Sequence, residues 1–444
     1  MKNGNKFLLF MLGLGSQTQF HFLGSIGISE FPVFLVAPFI FVRDYRLLKR
    51  DGFLPAVWLA LLMAVFSCVG GYINETPMIL VLKGSATVYA IFAMLVVFHR
   101  LLRNNFNNIK YLFVGIFISS IVSIFYFQQE TYIASGTGIA TGAEAIEAVT
   151  GYSLFWSTKF SQLVELPIDC FYMRMPLLYS ILAPLASCIV FILCSESSGR
   201  SAAVVSAGAV LIIALCGKSR VKMRRLGRNI VLFIMLMLVL LAVFKAGYKY
   251  MATRGMLGEG AQAKYERQTR MGSSILRLLI AGRSEFFIGM RAALDKPIIG
   301  HGPKPRDTGG YVAKFLLEYG SQEDYEGYLR HLKMLRRFGI YDEPIPCHSC
   351  IATGWLTCGI VGLIFWLYVL GKYFLYFKCY SHGIPQWFGY ISIAICHAAW
   401  NIFFSGIHRI EDPLCLTCVL FAAAVAKGRL QLPAEMEIEA RKCE

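Results

Sequence analysis

Eleven apolar stretches, each near or a little below the roughly 20 residues that carry a helix across a bilayer core of about 30 Å, divide this chain of 444 residues. They run Phe7 to Gly24, Phe31 to Val42, Phe53 to Tyr72, Met78 to Phe98, Tyr111 to Phe127, Met175 to Cys194, Ser201 to Cys216, Asn229 to Gly247, Ser349 to Leu370, Gln386 to Phe404 and Leu414 to Ala426. Backbone groups in lipid must be satisfied internally, so these segments are expected as helices and the fold class as all-α. With 56% hydrophobic, 14% aromatic and only 16% charged residues, the chain reads as a polytopic integral membrane protein.

Lys and Arg near helix ends are held on the cytoplasmic side. Arg43, Arg46, Lys49 and Arg50 form one such group, Arg100, Arg103 and Lys110 a second, and Lys218, Arg220, Lys222, Arg224, Arg225 and Arg228 a third; Lys372 and Lys378 follow. From a cytoplasmic N-terminus, eleven crossings would put the third group outside, so a further span is expected between Gln128 and Arg174. The weakly apolar Tyr132 to Tyr152 is the candidate, as a crossing or a re-entrant segment. The expectation is about twelve transmembrane helices with both termini inside, in three parts: an N-terminal bundle (1–246), one large periplasmic loop (247–348), and C-terminal helices with a cytoplasmic tail (349–444). Lys2 and Lys6 before the first apolar run mimic a signal peptide, but no small-residue cleavage site follows, so that run is read as an uncleaved first helix.

Much of the formal net charge of +16 is this topological bias, so no nucleic-acid partner is inferred. The 247–348 loop is different, with 16 Lys and Arg against 11 Asp and Glu. A basic surface facing the membrane suits an anionic lipid headgroup such as a diphosphate; a solvated loop with unpatterned charge is the other reading. Most of the thirteen cysteines fall within predicted spans, where thiols behave as small apolar groups. Cys170, Cys347 and Cys350 lie near the outer face, where a disulfide is chemically allowed and its pairing open. Cys415 and Cys418 lack the second ligand pair of a zinc site, and no metal is expected.

Three patches carry chemical signal. Ser195 to Ala203 is a polar knot between two spans, and its Arg200 at a membrane boundary needs a partner or ligand. Ser274 to Ala293 has apolar residues at near-helical spacing, with Arg277, Arg283 and Arg291 on other faces; it is expected as a surface helix. The following Asp295 to Lys304 turn contains His301 between Gly300 and Gly302, glycines that allow close backbone approach to a ligand or simply connect elements. Finally, Cys347-His348-Ser349-Cys350 opens a span. His348 there suits a general base or, taken alone, an interfacial anchor.

Ser-Gly-Arg-Ser-Ala at 198–202, Gly-Arg-Ser-Glu-Phe-Phe at 282–287, Lys-Pro-Ile-Ile-Gly-His-Gly-Pro at 296–303, and His348 followed by Gly359-Ile360-Val361-Gly362 together resemble the O-antigen ligase and O-antigen polymerase superfamily of bacterial membrane glycosyltransferases. The likeness covers about Cys188 to Tyr373. The arginine signature in that family usually reads Ser-Arg-Gly, where this chain has Gly199-Arg200-Ser201, and its histidine is commonly followed by Asn, where Ser349 stands here.

The resemblance implies a metal-independent inverting glycosyltransferase without a cofactor, in the bacterial inner membrane, using undecaprenyl-diphosphate-linked glycan. His348 would accept the acceptor hydroxyl's proton, and Arg200 and Arg283 would hold the diphosphate, a role for which guanidinium groups are suited. Arg174, Arg277, His301 and Lys304 are further candidates for phosphate or sugar contacts. A surface-polysaccharide or exopolysaccharide polymerase is the reading taken forward, with other export or chain-length proteins as partners; a ligase acting on lipid A core is the alternative. A lipid or polysaccharide transporter is a reading from another class, but no internal repeat of the kind such folds carry is found.

Overall fold

The computed structural model describes residues 2–15, 19–20, 26–126, 283–320, 322–337, 344–381, 383–384 and 387–431, with isolated positions between 247 and 254. The expected spans at Met175 to Cys194, Ser201 to Cys216 and Asn229 to Gly247, and the weak one at Tyr132 to Tyr152, lie outside these residues. What is described is helical, apart from a two-residue antiparallel ladder of β1 (Gln19–Phe20) with β2 (Ile26–Gly27).

The helices are α1 (Lys2–Leu14), α2 (Glu30–Asp51), α3 (Leu54–Ile73), α4 (Met78–Leu102), α5 (Ile109–Tyr126), α6 (Ser284–Asp295), α7 (Tyr311–Tyr319), α8 (Gln322–Arg337), α9 (Cys350–Leu375), α10 (Phe388–Phe404) and α11 (Glu411–Ala426). Among the described residues three stretches are long and apolar enough to cross a membrane: Leu54–Ile73, Met78–Leu102 and Cys350–Tyr380.

Several boundaries differ from expectation, those of α1 and α2 the most informative. Helix α1 stops at Leu14 instead of Gly24, where the polar run from Ser16 to Gln19 interrupts the apolar sequence. Helix α2 continues past Val42 to Asp51, so Arg43, Arg46, Lys49 and Arg50 stand on its last two turns and not in a loop. Gly52, at φ 84°, ends that helix; the Phe53 N–H then donates to the Leu48 carbonyl at 2.9 Å, the reverse turn that glycine makes inexpensive.

The helices meet at two chemically distinct ends. At one, the C-termini of α2, α4 and α11 gather with the start of α5. Phe53 packs on Phe421 and on His99, and fully buried Asp51 takes contacts from Arg50 (3.2 Å), His99 (3.0 Å) and Arg103 (2.7 Å). Asp44 likewise pairs with Arg43 and Arg100. A buried carboxylate shared by three donors is how such a charge is tolerated. At the other end, the N-termini of α2, α9 and α11 meet the C-terminus of α10, and buried Glu30 accepts Arg409 at 2.8 Å.

That second end is closed by the 296–303 turn. Its glycines do approach backbone closely, but the backbone belongs to this protein: a Cβ on Gly302 would lie 2.4 Å from the Gly71 nitrogen, and one on Gly359 would lie 2.0 Å from the Ile298 oxygen. Helix α9 breaks at Gly359 (φ 60°, ψ −149°). The Ile360 N–H, which in an unbroken helix would bond the Leu356 carbonyl, donates instead to the Ile298 carbonyl at 3.1 Å, and the freed Leu356 carbonyl accepts from the His301 N–H at 2.6 Å. The kink therefore leaves both groups satisfied, as apolar surroundings require. Trp355 Nε1 donates to the Pro297 carbonyl (3.1 Å) and Asn74 Nδ2 to the Gly300 carbonyl (3.2 Å), so of the two readings of this turn the structure shows a connection between α3 and α9.

Candidate functional site

Helix α9 begins where its sequence allows. Ser349, in extended conformation, caps it: its Oγ accepts the Ala352 N–H at 3.2 Å, the N-cap role for which serine is preferred. The same hydroxyl donates to the Ile402 carbonyl of α10 at 2.8 Å and is fully buried. His348, one residue earlier, is thus held at the mouth of the bundle with its side chain 61% exposed.

Helix α6 lies across this point. Gly289 makes the approach feasible, because a Cβ there would come within 2.5 Å of Cys347 Sγ. One turn earlier on α6, Glu285 Oε2 sits 3.2 Å from His348 Nε2. The expected surface helix from Ser274 to Ala293 is described only from Ser284 onward, where it runs to Asp295. Its apolar face, Ile288, Ala292 and Ala293, packs on Tyr311, Val312 and Phe315 of α7 and Leu356 of α9, which fixes the helix against the bundle.

Arg283 immediately precedes α6. Its guanidinium lies over Phe404 (4.8 Å to the ring centroid) and Trp400 (5.3 Å), with Nη1 donating to the Phe404 carbonyl at 3.4 Å. Burial pulls its pKa below the ordinary arginine value, and Glu285 opposes that shift. Among the described residues no carboxylate lies within ion-pair distance of Arg283. A guanidinium has five N–H donors, of which one is given to the Phe404 carbonyl. An anion placed there would recover the charge stabilisation that burial removes.

The other expected residues divide. His301 is buried, with Nε2 donating to the Ala292 carbonyl at 2.8 Å, and fastens the turn to α6. Lys304 is exposed with φ 48°, just beyond that turn. Arg200, Arg174 and Arg277 lie outside the described residues. Cys347 and Cys350 are both free thiols, and burial pushes the Cys347 pKa up to about 12, which leaves it a neutral apolar group. Asp295 accepts the Tyr311 hydroxyl at 2.5 Å, and Asp307 accepts the Tyr311 and Val312 N–H groups that open α7.

Sequence reading passed over Glu285, though it sits inside the quoted Gly-Arg-Ser-Glu run two positions after Arg283. It also passed over Trp400 and Phe404, whose i, i+4 spacing at the end of an apolar stretch was the available signal. Comparison with models of known protein families gives no match, and neither does comparison with curated protein sequences.

Proposed function

We propose that the chain is a bacterial inner-membrane glycosyltransferase, most simply a surface-polysaccharide or exopolysaccharide polymerase, acting on undecaprenyl-diphosphate-linked glycan. The observation that carries this reading is the meeting of a half-desolvated arginine with a Glu285–His348 pair at the end of the bundle opposite the basic collar of Arg43, Arg50, Arg100 and Arg103. Under the positive-inside rule that collar faces the cytoplasm, so the site opens to the periplasm. About twelve spans, with 247–348 as an outer segment, complete this topology.

In the proposed reaction Glu285 orients His348, whose free imidazole nitrogen takes the proton of the acceptor hydroxyl. That oxygen attacks the anomeric carbon, the bond from carbon to the diphosphate oxygen breaks, and the sugar is inverted. Negative charge on the departing diphosphate is met by Arg283, with Arg200 assigned to the same task. Fixed cations are worth most at the atoms where charge develops, in a site with little water. The geometry lends His348 a partner and Arg283 a reason to prefer an anion; the sugar and linkage are left open.

The test is reconstitution of the purified full chain with undecaprenyl-diphosphate-linked repeat units in EDTA. A ladder of longer glycans, absent with Arg283→Ala, is the expected result. No ladder, but transfer once lipid A core is added, would make the enzyme a ligase; silence in both assays would sink the transferase reading.

A further inference from the structure

The basic end holds a feature that topology alone does not require. Four of its arginines have ion-pair partners: Arg43 and Arg100 share Asp44, and Arg50 and Arg103 share Asp51. Arg46, Lys49 and Arg429 have no ion-pair partner among the described residues, yet together with Tyr45 and Arg50 they line one wide, open recess. The backbone presents them deliberately. Gly428, at φ 66°, turns the chain at the end of α11, and Arg429 Nη1 comes to rest against the α2–α3 turn, 3.0 Å from where a Cβ on Gly52 would stand.

Arg46 and Lys49 are also the last members of a longer stripe. Leu35, Phe39, Val42, Arg46 and Lys49 follow one another at four- and three-residue steps, which places them on one face of α2. The first three are 58%, 78% and 76% exposed. At 1.5 Å per residue the stripe is about 21 Å long, close to half the thickness of a bilayer with its headgroups. It is apolar where acyl chains lie and cationic where phosphates lie.

We propose that this recess binds the phosphate of an anionic membrane lipid, with an acyl chain along Leu35, Phe39 and Val42. The occupant is a lipid and not a free phosphate, because the recess is continuous with that exposed apolar track. Tyr45, an amphipathic ring at the boundary, suits the headgroup level. Arginine and lysine supply complementary contacts, the guanidinium a bidentate fork and the ammonium a point charge.

The experiment is native mass spectrometry of the delipidated full chain, titrated with phosphatidylglycerol, with phosphatidylcholine of identical chains, and with inorganic phosphate as competitor. Each basic residue beside an anionic surface is worth roughly a fivefold change in affinity. The triple variant R46Q/K49Q/R429Q is therefore expected to bind phosphatidylglycerol on the order of 10²-fold more weakly. The variant K333Q/R336Q/R337Q, which removes the same charge from α8, should bind as the parent does. Should the triple variant not fold, R46Q and K49Q singly, both at exposed positions, are each expected to lose about fivefold. Unchanged phosphatidylglycerol binding in these variants, equal loss in the α8 control, or equal retention of phosphatidylcholine overturns the proposal. Displacement of the lipid by equimolar inorganic phosphate overturns the lipid assignment in favour of a soluble anion.

Discussion

Glu285 Oε2 lies 3.2 Å from His348 Nε2, joining the first turn of α6 to the residue before the cap of α9. Two segments 63 positions apart in the chain are brought to one point, and the carboxylate limits which way the imidazole faces. A base that is oriented by a neighbour works with it as a unit, so losses on removing either are not additive. His348→Ala should slow glycan transfer by about 10²- to 10⁴-fold, and Glu285→Ala should slow it in the same direction with little change in KM. The double variant should be no slower than His348→Ala alone. Steady-state kinetics on the three variants checks this, and a further multiplicative loss in the double variant would separate the two roles.

Arg283 sits over Trp400 and Phe404, so its cation meets two aromatic faces as well as any anion. A lysine would keep the charge but lose the fork. Arg283→Lys is therefore expected to fall by about 10²-fold in transfer rate, nearly as far as Arg283→Ala. Recovery of most activity in the lysine variant would show that a simple point charge is sufficient there.

The sequence carried the helices well where lipid dictates them. Apolar runs such as those from Phe53 and Met78 form α3 and α4, because length and composition alone decide a spanning helix. Among the described residues, Arg43 and Arg50 on α2 gather with Arg100 and Arg103 at the end of α4 around Asp44 and Asp51. What was not legible depends on contacts between distant segments. The 296–303 glycines left two readings open, a ligand turn or a connection, because nothing local reveals that Gly70, Gly71 and Gly359 are the surfaces they meet. The bond that His301, a candidate for phosphate or sugar contacts, makes to a carbonyl nine residues away across a turn was likewise not visible locally. Ser349 has a structural role of its own, accepting the Ala352 N–H as cap of α9 and donating to the Ile402 carbonyl of α10.

The connection between the turn and α9 can be tested through Gly359. Its φ of 60° and the 2.0 Å from a built Cβ to the Ile298 oxygen leave no room for a methyl group. Gly359→Ala should cost several kcal/mol, on the order of the largest point-mutant losses, and should appear as a large drop in melting temperature of the solubilised protein or as failure to accumulate. Gly371, on the same helix with nothing within 4 Å of its built Cβ, provides the comparison. Gly371→Ala should be neutral or slightly stabilising.

His301 gives the fold a dependence on pH. Its Nε2–H bond to the Ala292 carbonyl at 2.8 Å is made in the buried turn, and burial is the main cause that lowers its pKa below the ordinary 6.5, with Lys296 adding to the shift and the Ala292 bond and Asp295 opposing it. Between the lowered folded value and the ordinary one, the unfolded chain binds the proton that the folded chain refuses. Stability from this residue is thus fully present above about 6.5 and is lost as pH falls through the folded value. Thermal unfolding between pH 7.5 and pH 5 should show a decline that His301→Gln, which keeps a donor for the Ala292 carbonyl but cannot titrate, removes in part. An identical decline in that variant would assign the acid sensitivity to other groups.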